Sequence, residues 1–370
     1  MYQFYIMAWW SYIIFIDAIL ALRTGRHFVL GRRLFSLVTV SAAFWCMFEL
    51  LNLRMQNWFY INIPSRPAAF RNGCYFLAFG TVIPGILLTG ELALRLLPEM
   101  KGARVSAGAY RITAVPLGLL CLGLSVAFPR YCFGLSWVFL IFIVDGYNYR
   151  KGYRSFIRGL EQGDWSRRGA AALAGMVCGF LWEFWNYWSI TKWVYTVPFF
   201  EGGKVFEMPA AGYIGFALFG VETIALVNLI EGSGFRNEPR WGILFLALVF
   251  AVLTFSLIDR YTVFSRVAPV GRLSFLSEET RTILEAKGVE TSYTIDPRML
   301  TVRERQALAL MHLKGLGLEH LEELRRHGVR TIGDLAGLDE GQLSALIGEE
   351  NMRRVRVYLR AARAACAPAP

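Results

Sequence analysis

Eight stretches of almost unbroken apolar residues dictate what this chain can fold into: about 4–22, 34–53, 74–96, 111–128, 132–149, 169–189, 211–230 and 241–258. Each holds roughly 20 residues, the length an α-helix needs to cross the ~30 Å hydrocarbon of a bilayer. Lipid offers the backbone no water, so such stretches must close their hydrogen bonds internally, as helices. The expected fold class is all-α: a polytopic membrane bundle of eight helices, followed by a small all-helical soluble domain. A content of 55% hydrophobic and 18% charged residues argues against an ordinary soluble chain.

Beyond Asp259 the apolar pattern stops, and the tail is nearly neutral. Most of the net charge of +11 therefore sits in the membrane part. It reads as an orientation signal rather than a nucleic-acid footprint. The loops opening at Arg23, Arg95 and Arg150 are the basic ones, which puts the amino terminus outside and, with an even number of spans, the tail outside as well. Met1 to Leu22 lacks a basic start and a small-residue cleavage site, so it reads as a first span. The expected location is an integral membrane protein, of the bacterial inner membrane. The six cysteines show no CxxC or Cys/His spacing and support neither a disulfide framework nor a metal site.

Laying the first four spans over the second four gives matches in constant order. Trp9 and Asp17 align with Trp137 and Asp145; Glu49, Asn52 and Pro64 align with Glu183, Asn186 and Pro198; Gly85 and Gly90 align with Gly215 and Gly220. This argues for a tandem 4+4 repeat with the halves pointing the same way. The expected domains are residues 1–130 and 131–260 for the two repeats, 261–300 for a linker, and 301–365 for the soluble module.

Carboxylates within the spans are the candidate site, because an ionisable group at bilayer depth costs roughly 2.5 to 3.5 kcal/mol and rarely persists without a use. Gly175 and Gly179 form a small-residue face that places Glu183, one turn on, inside the bundle. Asn186 follows one turn later, and Glu222 lies near the middle of the seventh span. In the first half Glu49 and Asn52 share a helix face, and Glu91 follows Gly85 and Gly90. No Lys or Arg lies well inside a span, so these carboxyls are expected to be protonated, or to hold a cation or a substrate charge. Polar residues also serve simply as glue between helices, and that reading stands beside the functional one. Asp17, close to Arg23 and Arg26, reads as an interfacial charge.

Trp182-Glu183, then Trp193-Val194-Tyr195, then Pro209 before Tyr213 and Phe216, resembles the repeat unit of the membrane-type lycopene cyclases and related carotenoid-modifying proteins. Where that family carries two adjacent acids after the proline, this chain has Ala210 and Ala211, with Glu207 and Glu222 the nearest substitutes. The resemblance implies an intramembrane enzyme for an isoprenoid or other lipid. Glu183 and Glu222 would act as acid and base, Asn186 would orient Glu183, and Glu49, Asn52 and Glu91 would do matching work in the other lobe. Trp182, Trp185, Trp193, Tyr195 and Phe216 would form the substrate wall, whose aromatic faces suit a carbocation. A proton- or cation-coupled carrier using the same carboxylates, or a scaffold with inert spans, are the competing readings.

The tail resembles a helix-hairpin-helix module centred on Gly315-Leu316-Gly317. That likeness implies a phosphate cradle of Gly315 and Gly317 amides with Lys314 in support. The acidic residues of its second half disfavour nucleic acid and leave a protein partner as the alternative. No cofactor is implied, and four histidines, three of them in the tail, are too few for a metal-dependent desaturase.

Overall fold

The structure, a computed structural model, describes all residues except 1–2, 32–33, 200–202, 236–239 and 368–370. Among the described residues, seven helices are long and apolar enough to cross a membrane, the make-up of an integral membrane protein. They are α1 (Phe4–Thr24), α2 (Leu34–Met55), the broken span of α3 (Ala68–Phe79) and α4 (Val82–Leu96), α5 (Tyr110–Ala127), the irregular helix α6 (Pro129–Lys151), and two later helices, Tyr213–Gly232 and Trp241–Tyr261.

The expected eighth span, α7 (Ser166–Trp188), is a 23-residue helix but falls outside that set. Its composition explains why. Arg167 and Arg168 open it and Glu183 and Asn186 lie near its end, which shortens the uninterrupted apolar stretch; Ala170, Ala171, Ala174 and Gly175 face inward. It packs most closely against α8 (Tyr213–Gly232). A Cβ on Gly220 would sit 2.2 Å from the Ala171 carbonyl oxygen, and one on Gly175 would sit 2.0 Å from that of Phe216. Backbone therefore rests on backbone, which only glycine permits. The last membrane helix, α9 (Trp241–Tyr261), lies along α2.

Two breaks within spans are repaired by side chains, as buried backbone groups require. Between α3 and α4, the Ser41 hydroxyl donates to the Phe79 carbonyl at 2.8 Å and accepts from the Ile83 amide at 3.0 Å. In α6 the ladder passes through a 3₁₀ turn at Phe133–Trp137 and a π turn at Ile141–Asp145. Glu222 accepts the Leu140 amide there at 3.1 Å.

At one end of the bundle two short strands, β1 (Trp58–Ile61) and β2 (Lys192–Tyr195), pair antiparallel, Trp58 opposite Tyr195 and Tyr60 opposite Trp193. Alternation along a strand sends successive side chains to opposite faces. Trp58, Tyr60, Trp193 and Tyr195 thus turn to the bundle and join its core, while Phe59, Ile61 and Val194 form a separate cluster with Phe264 and Val357 of the tail.

Residues 262–300 are not a free connection. The Tyr60 amide donates to Thr262 O at 2.8 Å, the Phe264 amide to Tyr60 O at 2.9 Å and the Val267 amide to Ile63 O at 2.9 Å. Ala268, Leu273, Leu276, Leu284 and Leu300 then enter the same core as the C-terminal helices. Glu304 staples the two parts, accepting the Ser277 amide at 2.8 Å and the Thr301 amide at 2.8 Å. Burial alone would raise its carboxyl, but these bonds prevail and hold it at about 2.

Candidate functional site

The site forms where the α2 and α7 ends meet the ribbon, and its frame occurs twice. Asn52 Oδ1 accepts the Asn57 and Trp58 amides at 2.8 and 3.2 Å, and its Nδ2 donates to Trp58 O at 2.9 Å. Asn186 Oδ1 accepts the Trp193 amide and its Nδ2 donates to Trp193 O, both at 3.0 Å. Each asparagine therefore clamps the strand that follows its helix. The expectation that Asn186 orients Glu183 directly is corrected: it fixes β2, and β2 carries the carboxylate's partner. That partner is Tyr195, whose hydroxyl donates to Glu183 Oε1 at 2.8 Å, as Tyr60 donates to Glu49 Oε1 at 2.6 Å.

The two carboxylates differ in what else they hold. Glu49 also accepts the Trp45 indole at 2.8 Å and the Trp58 indole at 3.2 and 3.3 Å, one to each oxygen. Among the described residues, Glu183 takes one bond at full hydrogen-bond geometry, from Tyr195; the Trp193 indole nitrogen lies near the carboxyl, yet it and Glu183 Oε2 are both buried without a partner at bonding geometry. Both glutamates are wholly shielded from solvent. A carboxyl oxygen left unpaired in a dry site is costly unless something else meets it.

Between the two frames lies a cavity of about 130 Å³. Trp58, Tyr60, Trp182, Trp193, Tyr195 and Phe216 line it, together with Trp45, Trp137 and Phe219. Its rim, Gln3 and Ile6 at the start of α1 and Phe70 and Cys74 on α3, lies toward the outer surface of the bundle. Two cationic residues reach the wall: Lys192 of β2, whose Nζ donates to Tyr187 O at 2.6 Å, and Arg71, bound through Nε to Asp259 at 2.7 Å, with the Tyr75 hydroxyl on the same carboxylate at 2.7 Å. Sequence reasoning passed over Arg71 and Asp259, which lie 188 residues apart; only their opposite charges near span ends hinted at a pair.

The remaining expected residues separate from this centre. Trp185 packs on Trp9 and Tyr12 and does not line the cavity. Because Gly179 lies against Phe216 and Gly175 against Gly220, α7 and α8 run antiparallel, and the 1.5 Å rise per residue sets Glu222 on the order of 15 Å from Glu183. An acid–base pair of these two is therefore corrected; Glu222 serves the break in α6. Glu91 forms a pair with Arg95 at 2.6 Å, one helical turn away, and is not among the hydrogen-bond partners of Glu49 or the residues lining the cavity. Asp17 is a buried clamp rather than an interfacial charge, accepting the Phe28 and Val29 amides at 2.8 and 3.0 Å and lying 2.6 Å from His27 Nδ1. Asp145 repeats the motif on the Phe156 and Ile157 amides at 2.8 and 3.3 Å.

The expected phosphate cradle of the tail faces inward. A Cβ on Gly315 would meet the Ile61 side chain at 2.5 Å, and one on Gly317 would meet Ser265 at 2.8 Å. Lys314 reaches instead to Glu207 at 2.6 Å. The hairpin is a docking surface for the ribbon, with no room for a nucleic-acid backbone. Among the described residues, no group of three or more His, Cys, Asp or Glu side chains is placed to hold a metal ion. No protein-family model, no curated protein and no solved structure matches this chain.

Proposed function

We propose that this is an intramembrane enzyme performing acid–base chemistry on an apolar lipid, an isoprenoid or carotenoid chain being the class the cavity suits, with Glu183 as the catalytic residue. The observation that carries the reading is the unpaired Glu183 Oε2, buried behind Trp182, Trp193 and Tyr195 of the cavity wall, set against a Glu49 whose two oxygens take four hydrogen bonds. Tyr195 fixes Oε1, so Oε2 holds the proton. Transfer to an alkene breaks that O–H bond and forms a C–H bond, the π pair supplying the electrons. The cationic carbon left behind is stabilised by the faces of Trp182, Trp193 and Phe216. Loss of a proton from a neighbouring carbon back to Oε2 regenerates the acid, so the step needs no oxidant or reductant. The same oxygen gives and takes the proton, so one group serves in both directions.

We further propose that the membrane part is a duplicated four-span unit. Support comes from the matched clamps, Asn52 with Asn186 and Asp17 with Asp145, and from a ribbon in which each Trp-x-Tyr faces the other's Tyr-x-Trp. A symmetric ancestor would have held two equal sites. Here the first has become a structural knot and the second has kept its open oxygen.

The experiment is mass spectrometry of lipids from cells with and without the gene, and with Glu183→Gln or Glu49→Gln at equal expression. The reading expects one lipid species to change with the gene, Glu183→Gln to match the deletion, and folded Glu49→Gln to retain the change. Identical lipid profiles in all samples would overturn it.

A further inference from the structure

A second pocket, of about 540 Å³, lies where the membrane part meets the tail. Four arginines line it from three separate stretches: Arg54 at the end of α2, Arg130 after α5, and Arg353 and Arg356 on the last helix, Met352–Cys366. One carboxylate, Glu350, shares the wall. Two of the arginines are held in place. Arg353 donates to Thr196 O at 2.7 Å and Met55 O at 2.8 Å, and Arg356 pairs with Glu340 at 3.4 Å. Arg54 and Arg130 are exposed; the Arg130 guanidinium lies 5.7 Å from the Tyr131 ring centre, and no hydrogen-bond acceptor is found for either among the described residues. Gathering guanidinium groups in one pocket costs repulsion unless an anion sits among them.

We propose that this pocket binds a phosphate group. Planar guanidinium forks match phosphate oxygens in pairs, and several around one centre suit its multiple charge better than a single carboxylate would. Arg54 ends one spanning helix and Arg130 follows another, which sets the pocket at the depth of lipid headgroups. The phosphate can come from an anionic lipid or from solution; the shared chemistry is the same. The site is independent of Glu183, and its test does not use the lipid reaction.

The test is calorimetric titration of the full chain in a non-ionic detergent, at constant ionic strength, with dihexanoyl phosphatidic acid, inorganic phosphate and, as control, dihexanoyl phosphatidylcholine. The expected result is saturable one-to-one binding of a phosphate-bearing probe. It should weaken at least ten-fold in the Arg54→Gln/Arg130→Gln double variant, less in the corresponding Lys variant, with unchanged melting. Phosphatidic acid binding ten-fold tighter than inorganic phosphate assigns the site to lipid; equal affinity assigns it to free phosphate. The proposal is overturned if neither probe binds saturably, if the double variant binds like the parent, or if phosphatidylcholine binds as tightly as phosphatidic acid.

Discussion

The Glu49 and Glu183 frames share a helix end, an asparagine clamp, a short strand and a tyrosine, yet they hold their carboxylates differently. Around Glu49, three donors besides the wall of the bundle leave nothing to offer a ligand. Around Glu183, the position four residues before the carboxylate, held by Trp45 in the first frame, is Gly179, and Phe216 fills the space it leaves. The Trp193 indole lies near the carboxyl without reaching the bonding geometry that Trp58 has on Glu49. One framework thus yields a saturated carboxylate and an available one, and the difference rests on two indoles.

The largest expected contrast comes from removing each carboxylate. Glu183→Gln should lower turnover by about 10²- to 10⁴-fold, the usual worth of a general acid, with little change in melting. Glu49→Gln should do the reverse: its amide nitrogen faces the Trp58 indole donor, at a cost of about 1–3 kcal/mol, while turnover per folded molecule holds. Thermal melts and single-turnover assays separate the two. Equal loss of activity in both would erase the comparison.

The clamps sharpen it at the next level. Asn52→Ala breaks three hydrogen bonds and Asn186→Ala two, so denaturant melts should show the former as the more damaging, by about 1 kcal/mol. Turnover should fall mainly in Asn186→Ala, because β2 positions Tyr195. Smaller again is the tyrosine pair. Tyr195→Phe removes the one bond at full geometry on Glu183 and should cost activity and shift its pH profile, whereas Tyr60→Phe leaves two indoles on Glu49 and should cost about 1 kcal/mol of stability and no activity.

The smallest effect lies in the tail, outside this contrast. Burial holds His312, stacked on Tyr293 with ring centres 3.9 Å apart, down at about 4. The unfolded chain takes up this proton near 6.5, so the stabilisation is complete above that value and is lost as pH falls from 6.5 toward 4. His312→Phe, which keeps the stack, should flatten that part of the stability profile, measured by chemical denaturation of the full chain.

Much of this was legible in the sequence because it is local. Span positions follow from length and hydropathy, the inward face of Glu183 follows from Gly175 and Gly179, and the two frames follow from the aligned Glu and Asn residues. What escaped was set by distant partners. Four-residue strands 134 positions apart (Trp58 to Lys192) carry no pairing signal of their own, so the ribbon, and the tail docked on it, stayed hidden. Asn186 could bond its own helix or the next strand, and spacing does not decide which. Glu91 was readable, since Arg95 lies one turn on. Glu222 was not, because its role depends on where α6 breaks.

The most direct test of the central claim needs no substrate. Dicyclohexylcarbodiimide enters bilayers and modifies protonated carboxyls that apolar reagents can reach, and peptide mass spectrometry locates the adducts. The account predicts labelling at Glu183, through its unpaired Oε2, with Glu49 unlabelled in the folded protein. Labelling of Glu49 to the same extent, or of neither residue while other buried carboxyls react, would contradict it.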